Sequence, residues 1–192
     1  MSPTATLSEA PSLVDATAYR DVVLRCLTPA DVHHMADLVD RMSPHSRYLR
    51  YFRLMSSFPP SDIERFVAAG THHRAVGAFD DGDLVGVAQY FRSAACPDQA
   101  EIALEIADSH HRRGIGTALV ETLARIAVYE GITHVTATIL SANRALLAMV
   151  QSIGWELVVT RDGCYADLVA TLPRQHLEAV ADGSVSGRAG RC

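Results

Sequence analysis

His111-Arg112-Arg113-Gly114-Ile115-Gly116-Thr117-Ala118-Leu119 is the stretch on which the fold turns. It follows an apolar run, Ala100 to Ala107, that reads as a strand, and it opens a periodic segment, Ile115 to Tyr129, that reads as a helix. Two glycines one residue apart let backbone N–H groups turn inward, and the helix start adds the positive end of its dipole. Together they make a cradle for a pyrophosphate. A dinucleotide fingerprint needs G-x-G-x-x-G, and Leu119 stands where the third glycine belongs. A P-loop needs G-K-[ST], but all 17 basic residues are arginine and the chain has no lysine. The glycine pair alone is a weak signal, because ordinary helix entries share it.

Moving outward, Arg74 to Asp80 and Leu84 to Phe91 flank Asp81-Gly82-Asp83, a strong hairpin signal. Further upstream, Tyr19 to Leu27 reads as a strand with Val23 and Leu24 at its centre. Thr28 caps a helix with Pro29 at its first position and Val32, Met35, Leu38, Val39 and Met42 at helical spacing. Ser43-Pro44 opens a second helix, with Tyr48, Tyr51, Phe52 and Met55 on one stripe. Pro59-Pro60-Ser61 starts a third, short helix through Ile63, Phe66 and Val67. Downstream, Gly131 suits the end of the Ile115 to Tyr129 helix. Val135 to Leu140 then reads as a strand and Ala142 to Ile153 as a helix, and Trp155 to Thr160 with Cys164 to Leu172 close as a hairpin across Asp162-Gly163.

Composition bounds the class. A chain of 192 residues, 48% hydrophobic and 20% charged, is expected to form one soluble globular domain. Residues 19–173 read as that domain, residues 1–18 as a flexible arm, and residues 174–192 as a flexible tail rich in glycine and serine. The formal net charge of −5 argues against a nucleic-acid partner. No apolar run approaches about 18 residues, so no membrane partner is expected. The N-terminal stretch lacks the basic start and compact apolar run of a signal peptide, which points to the cytoplasm. Cys26, Cys96, Cys164 and Cys192 are scattered and read as free thiols. The pairs His33-His34, His72-His73 and His110-His111 have no carboxylate or cysteine at ligand spacing, so no metal is expected.

With His111 where Gln or Arg is usual, the loop resembles the Q/R-x-x-G-x-G/A acyl-CoA pyrophosphate loop of the GNAT N-acetyltransferase superfamily. The element order β-α-α-α-β-β-β-α-β-α-β-β is similar to that superfamily's from Asp21 to Pro173. The resemblance implies an α/β (α+β) GNAT acyltransferase fold, with a central mixed, mostly antiparallel sheet and flanking helices. It implies acetyl-CoA as cosubstrate and an amine as acceptor. By the same resemblance the backbone N–H groups of Arg112, Arg113, Gly114, Gly116 and Thr117 meet the pyrophosphate, and the two arginines either add charge or are solvated. Bulk at Gly114 or Gly116 is expected to crowd the phosphates. A β-bulge is implied at Leu104-Glu105-Ile106, with the Leu104 N–H facing the acetyl carbonyl and Ile106 either pairing with pantetheine or packing in the core. Asn143 is implied to bond the pantetheine chain, with Gly154-Trp155 following where Gly-Phe is usual; a plain helix cap is the alternative. Many family members place a tyrosine acid seven residues after that asparagine, where this chain has Val150. The CoA thiolate, with a pKa near the 8.5 or so of free cysteine, can leave unaided or take a proton from water.

A lysine amine, with a reference pKa of about 10.4, must lose its proton before it attacks a thioester, and a nearby carboxylate can take it. Glu101 is the candidate: it lies ten residues before His111, where similar lysine acetyltransferases carry their base. Glu105 competes, because residues 101, 103 and 105 share one strand face. Either could instead be a solvent-facing strand carboxylate. Met42-Ser43-Pro44-His45-Ser46-Arg47-Tyr48-Leu49-Arg50-Tyr51-Phe52 resembles the S-P-x-S-R-Y-x-R-F-F helix of bacterial Pat-type protein lysine acetyltransferases. That resemblance implies a protein lysine acceptor, such as that of an acyl-CoA synthetase, with Arg47 and Arg50 lining the acceptor groove. Tyr48, Tyr51 and Phe52 are expected to face the core in any case. Many Pat-type proteins carry a fused regulatory domain, and the arm preceding this domain is too short for one. A small-molecule amine acceptor and a non-catalytic acyl-CoA sensor stand as alternatives, and a homodimer through edge strands near the C-terminal hairpin stays open.

Overall fold

Two short strands open the described part of the chain, β1 (Thr17–Tyr19) and β2 (Val22–Cys26). They pair as a hairpin, Thr17 opposite Leu24, with Arg20 at φ 52° in the turn. The single strand expected from Tyr19 to Leu27 is therefore folded back on itself at Arg20-Asp21. No glycine or asparagine marks that turn, so its positive φ is imposed by context rather than by residue type. The computed structural model describes residues 17–53, 59–68, 70 and 72–173. Most of the expected arm, all of the expected tail, Met55 and Cys192 lie outside these residues.

After a 3-10 turn (Pro29–Asp31) come α1 (Val32–Arg41), α2 (Pro44–Tyr51) and α3 (Pro60–Val67). Thr28 and Asp31 form a reciprocal capping box, so the expected cap is present, but the first turn is 3-10 and the α-helix begins at Val32. The meander β3 (His73–Asp80), β4 (Asp83–Arg92) and β5 (Gln99–Ile106) follows. Asp81 and Gly82 turn the first hairpin with φ 49° and 88°, the pair of left-handed residues a two-residue turn of matching twist requires. A 3-10 turn (Asp108–His110) leads into α4 (Ile115–Tyr129), then β6 (His134–Leu140), α5 (Arg144–Ile153), β7 (Glu156–Asp162) and β8 (Tyr165–Thr171).

The eight strands form one sheet in the order β1-β2-β3-β4-β5-β6-β8-β7. Every pairing is antiparallel except β5 with β6. The central helix α4 buries Leu119, Leu123 and Ala127 against one face, with Val76, Ala88 and Tyr90 beneath. On the other face Met35, Leu38, Ile63 and Val67 of α1 and α3 pack on Phe79, Leu84 and Val87. The α5 helix closes a smaller cluster through Leu147 on Ile139, Ala166 and Leu168. No described helix is long and apolar enough to cross a membrane.

Candidate active site

The site grows from an incomplete pairing. β5 meets β6 only at Gln99, Ala100 and Glu101, opposite His134, Val135 and Thr136. Beyond Glu101 the parallel strands part, and β5 continues with β4 alone, from Arg92 opposite Ala100 to Gly86 opposite Ile106. That register carries no shift, so the bulge expected at Leu104-Glu105-Ile106 is absent. The strand is freed by loss of its partner β6, not by an inserted residue. Backbone groups alternate in direction along a strand. Ala107 N–H bonds Val85 O and Gln99 O accepts from Ser93 N–H, so the odd-numbered residues of β5 face β4. The N–H and C=O groups of Leu104 and Ile106, beyond the last pairing with β6, therefore face the open gap. His111 takes one of them: its Nε2 donates to Ile106 O at 3.0 Å, which leaves the Ile106 N–H and the Leu104 pair.

The glycine loop closes the near end of the gap. Gly114 sits at φ 80° as the residue before α4, and no side chain caps that helix. The first bond to this turn is Ala118 N–H to Gly114 O, so the N–H groups of Ile115, Gly116 and Thr117 have no intrahelical acceptor. A Cβ on Gly114 would lie 2.7 Å from Tyr19 Oη; one on Gly116 would lie 3.1 Å from Met149 Sδ and 3.3 Å from a Leu104 methyl. The glycines thus keep neighbouring protein atoms close, a role beyond sparing phosphates. Arg112 is exposed, with φ 59°. Arg113 is committed to the loop itself, pairing with Asp80 at 3.2 Å and Asp21 at 3.8 Å. Asn143 Oδ1 accepts from Leu146 N–H at 3.2 Å and caps α5, so its amide nitrogen is the group left to meet a ligand. Val150 is half-buried one helical stretch farther along. Uncapped helix donors, a bare strand edge and the remaining amide nitrogen of Asn143 are groups that fit the diphosphate and amide-bearing arm of a CoA thioester.

The two candidate carboxylates of β5 part company. Glu101 is exposed and lines a cleft of about 500 Å³ with Arg50, Tyr51, Phe52, Arg53, Asp62, Arg65, Phe66 and Phe91. Glu105 is 1% exposed. Its Oε1 accepts from Arg50 Nε at 2.8 Å, Tyr51 Oη at 3.0 Å and Gln89 Nε2 at 3.4 Å. Burial opposes the Arg50 charge, but Glu105 more than compensates and holds its pKa above the ordinary arginine value. Burial and the adjacent Glu105 charge push the Tyr51 phenol well up, so it stays protonated and donates to Glu105. Gln89 passes the chain on to His73 Nε2, 3.2 Å from its Oε1.

Sequence reasoning missed how α2 is held. At its C-terminal end Arg50 and Tyr51 reach Glu105. At its N-terminal end Asp108 accepts from Ser43 N–H at 2.7 Å, Ser43 Oγ at 2.9 Å and Ser46 Oγ at 2.7 Å. Burial works against the Asp108 charge, and these three bonds outweigh it and lower its pKa. The only buried residue of α2 is Ser46, and Tyr48 is 40% exposed, so the expected core-facing aromatic stripe is not there. Phe52 instead sets its edge on Tyr165, with centroids 5.6 Å apart. Arg50 lines this cleft; Arg47, one turn earlier and half-buried, is not among its lining residues.

The model of the acetyltransferase (GNAT) family matches residues 37–155, well over half of the chain. The chain belongs to the GNAT acetyltransferase family. Acetyltransferase PA5475 of Pseudomonas aeruginosa is 26% identical over 144 residues, covering 71% of this chain and 75% of that protein. The GNAT domain of S. lividans PAT superposes with a TM-score of 0.78 at 24% identity, over 85% of this chain and all of that one. A cAMP-binding acyltransferase from Mycobacterium smegmatis gives 0.59 at 19% identity, over 84% of this chain and 48% of that one. At these identities the two structures share their fold with this chain.

Proposed function

We propose that this GNAT enzyme moves the acetyl group of acetyl-CoA to a protein lysine ε-amine, with Glu101 as general base. The observation that carries the assignment is the contrast on β5. Glu101 is solvent-accessible in an aromatic-walled cleft at the point where the strands part, whereas Glu105 is buried and bound to Arg50 and Tyr51. A base needs access to the incoming amine, and only Glu101 has it. The likeness in fold to the GNAT domain of S. lividans PAT, together with the Ser43-to-Phe52 motif of α2, supports a protein acceptor.

Bound acetyl-CoA would supply the thioester carbonyl. Glu101 takes the proton of the ammonium group, directly or through water, and leaves a neutral nitrogen able to form the new C–N bond. The Leu104 N–H, unpaired at the gap, is placed to meet the carbonyl oxygen as negative charge gathers on it. The C–S bond breaks with its electron pair on sulfur, and with Val150 in the family's tyrosine position the sulfur leaves as thiolate or takes its proton from water. The α4 N–H groups, the Ile106 N–H and the Asn143 amide hold the diphosphate and pantetheine.

The test is thiol release from acetyl-CoA in the presence of a purified acyl-CoA synthetase, with wild type and Glu101→Gln side by side. The expected result is a fall in kcat of about 10²–10⁴ with acetyl-CoA affinity unchanged. Equal turnover by both proteins removes Glu101 from the role. Silence from both, with CoA still bound, assigns the chain to small amines or to sensing.

A further inference from the structure

The acceptor cleft has a charge pattern that a lone lysine does not explain. Four aromatic residues, Tyr51, Phe52, Phe66 and Phe91, wall it, and one exposed carboxylate, Glu101, meets the amine. Arg50 is neutralised by Glu105. Arg53, just past the end of α2, and Arg65, in the last turn of α3, are both exposed in the same cleft. Neither makes an ion pair among the described residues. Asp62 lies one helical turn before Arg65, at the i, i+3 spacing that allows pairing, yet no ion pair joins them. Asp62 belongs to the first turn of α3, where a carboxylate complements the helix dipole. Two cations therefore face the cleft without an ion-pair partner among the described residues, in a protein whose formal net charge is −5. Such a protein does not draw anions from a distance, so the pair acts at contact range.

We infer that the acceptor carries an anionic group, a carboxylate by its chemistry, close to the amine that is acetylated, and that Arg53 and Arg65 receive it. The inference rests on the acetyltransferase reading above and deepens it by naming the acceptor's charge. The apolar stem of the acceptor lies along the aromatic wall, its ammonium end approaches Glu101, and its carboxylate meets the guanidinium pair. A peptide lysine with Asp or Glu beside it has this character.

The experiment compares acceptors in matched pairs, by thiol release from acetyl-CoA. One pair is a single-lysine peptide with Asp and Glu flanking the lysine against the same peptide with Asn and Gln. The other is 6-aminohexanoate against hexylamine. Within each pair the ratio of kcat/KM cancels the active fraction of enzyme, so a partly folded variant still gives a valid result. Wild type is expected to favour the anionic member about tenfold, the effect of one charge-assisted contact. In the double variant Arg53→Gln/Arg65→Gln that ratio is expected to fall to within about twofold of unity, and with Arg65→Glu to fall below the wild-type value. Peptides acetylated without regard to flanking charge overturn the inference and leave the lysine reading standing. Peptides left untouched while 6-aminohexanoate outperforms hexylamine overturn the lysine reading and uphold the inference. A preference that survives the double substitution, or silence across the whole panel, overturns it.

Discussion

Replacing Glu105 by Gln removes a negative charge from beneath α2 and leaves Arg50 facing an amide. The Glu105 side chain is fully shielded from solvent and that of Arg50 is 23% exposed, so the guanidinium cannot simply turn to water. Breaking a buried pair from one side costs roughly 3–5 kcal/mol. The exposed quarter of Arg50 and the retained acceptor oxygen of Gln reduce this to about 2–3 kcal/mol. In a chain of this size that is a fall in Tm of about 5–10 °C. Urea unfolding of the wild type, Glu105→Gln, Arg50→Met and the double variant apportions the loss. The double variant is expected to be more stable than the sum of the two single losses predicts, since it no longer strands a buried charge. Because the pair orients α2 beside the cleft, the KM for the acceptor should rise while that for acetyl-CoA stays put. A loss below about 0.5 kcal/mol, the range of ordinary surface changes, would refute the reasoning. So would strict additivity of the two single substitutions.

Three further outcomes are expected. Gly114→Ala places a side chain at φ 80° and a Cβ 2.7 Å from Tyr19 Oη; stability should fall by about 1–2 kcal/mol and the KM for acetyl-CoA should rise. Adding Tyr19→Ala relieves the contact but not the backbone, so full recovery of stability in that double variant would refute the account. Asp31 is held below the ordinary carboxylate range chiefly by the Arg25 hydrogen bond and, against the cost of burial, by its bonds to Thr28. A depressed pKa contributes stability that is complete above the unfolded value of about 3.9 and fades as pH falls toward the folded one. Urea unfolding should therefore separate wild type from Asp31→Asn by about 1–3 kcal/mol at pH 6 and by less at pH 3. Asp108→Asn loosens the other end of α2, since an amide nitrogen cannot accept from Ser43 or Ser46. Hydrogen exchange should quicken at residues 46–50 and leave α4 unchanged, and equal protection in both proteins would show that the anchor is dispensable.

What the sequence disclosed depended on whether the cause lay nearby in the chain. The turns at Asp81-Gly82 and Gly163, and the end of α4 at Gly131, were legible because glycine advertises the positive φ it adopts there. Arg20, Phe52 and Arg112 adopt positive φ as well, without a residue type that signals it, so the β1–β2 hairpin stayed hidden. Period-two alternation placed Glu101 and Glu105 on one face. It could not show that α2 lies across the second and not the first, because that contact spans 55 residues of chain. A faint signal was present: Glu105 interrupts the apolar run Ile102-Ala103-Leu104 and Ile106, and a carboxylate in such company is rarely buried without a cation. For Asp108 nothing local pointed to Ser43. The aromatic spacing of α2 revealed a helix with one distinctive side, but the same spacing serves a core face and a cleft wall alike.

The two carboxylates that moor α2, Glu105 and Asp108, stand within the run 101–117 that also carries Glu101, Leu104 and the glycine loop. On the proposed mechanism, acyl-group handling and acceptor handling are thus written into one unbroken passage of chain and do not form separable modules. A helix transplanted from a relative would arrive without its moorings unless β5 travelled with it, and moving β5 would disturb the acyl end. If the cleft takes the acceptor as proposed, divergence toward new acceptors is channelled elsewhere, into single exchanges at other residues lining the cleft. Arg53 and Arg65 lie outside the run 101–117 and can change without touching it.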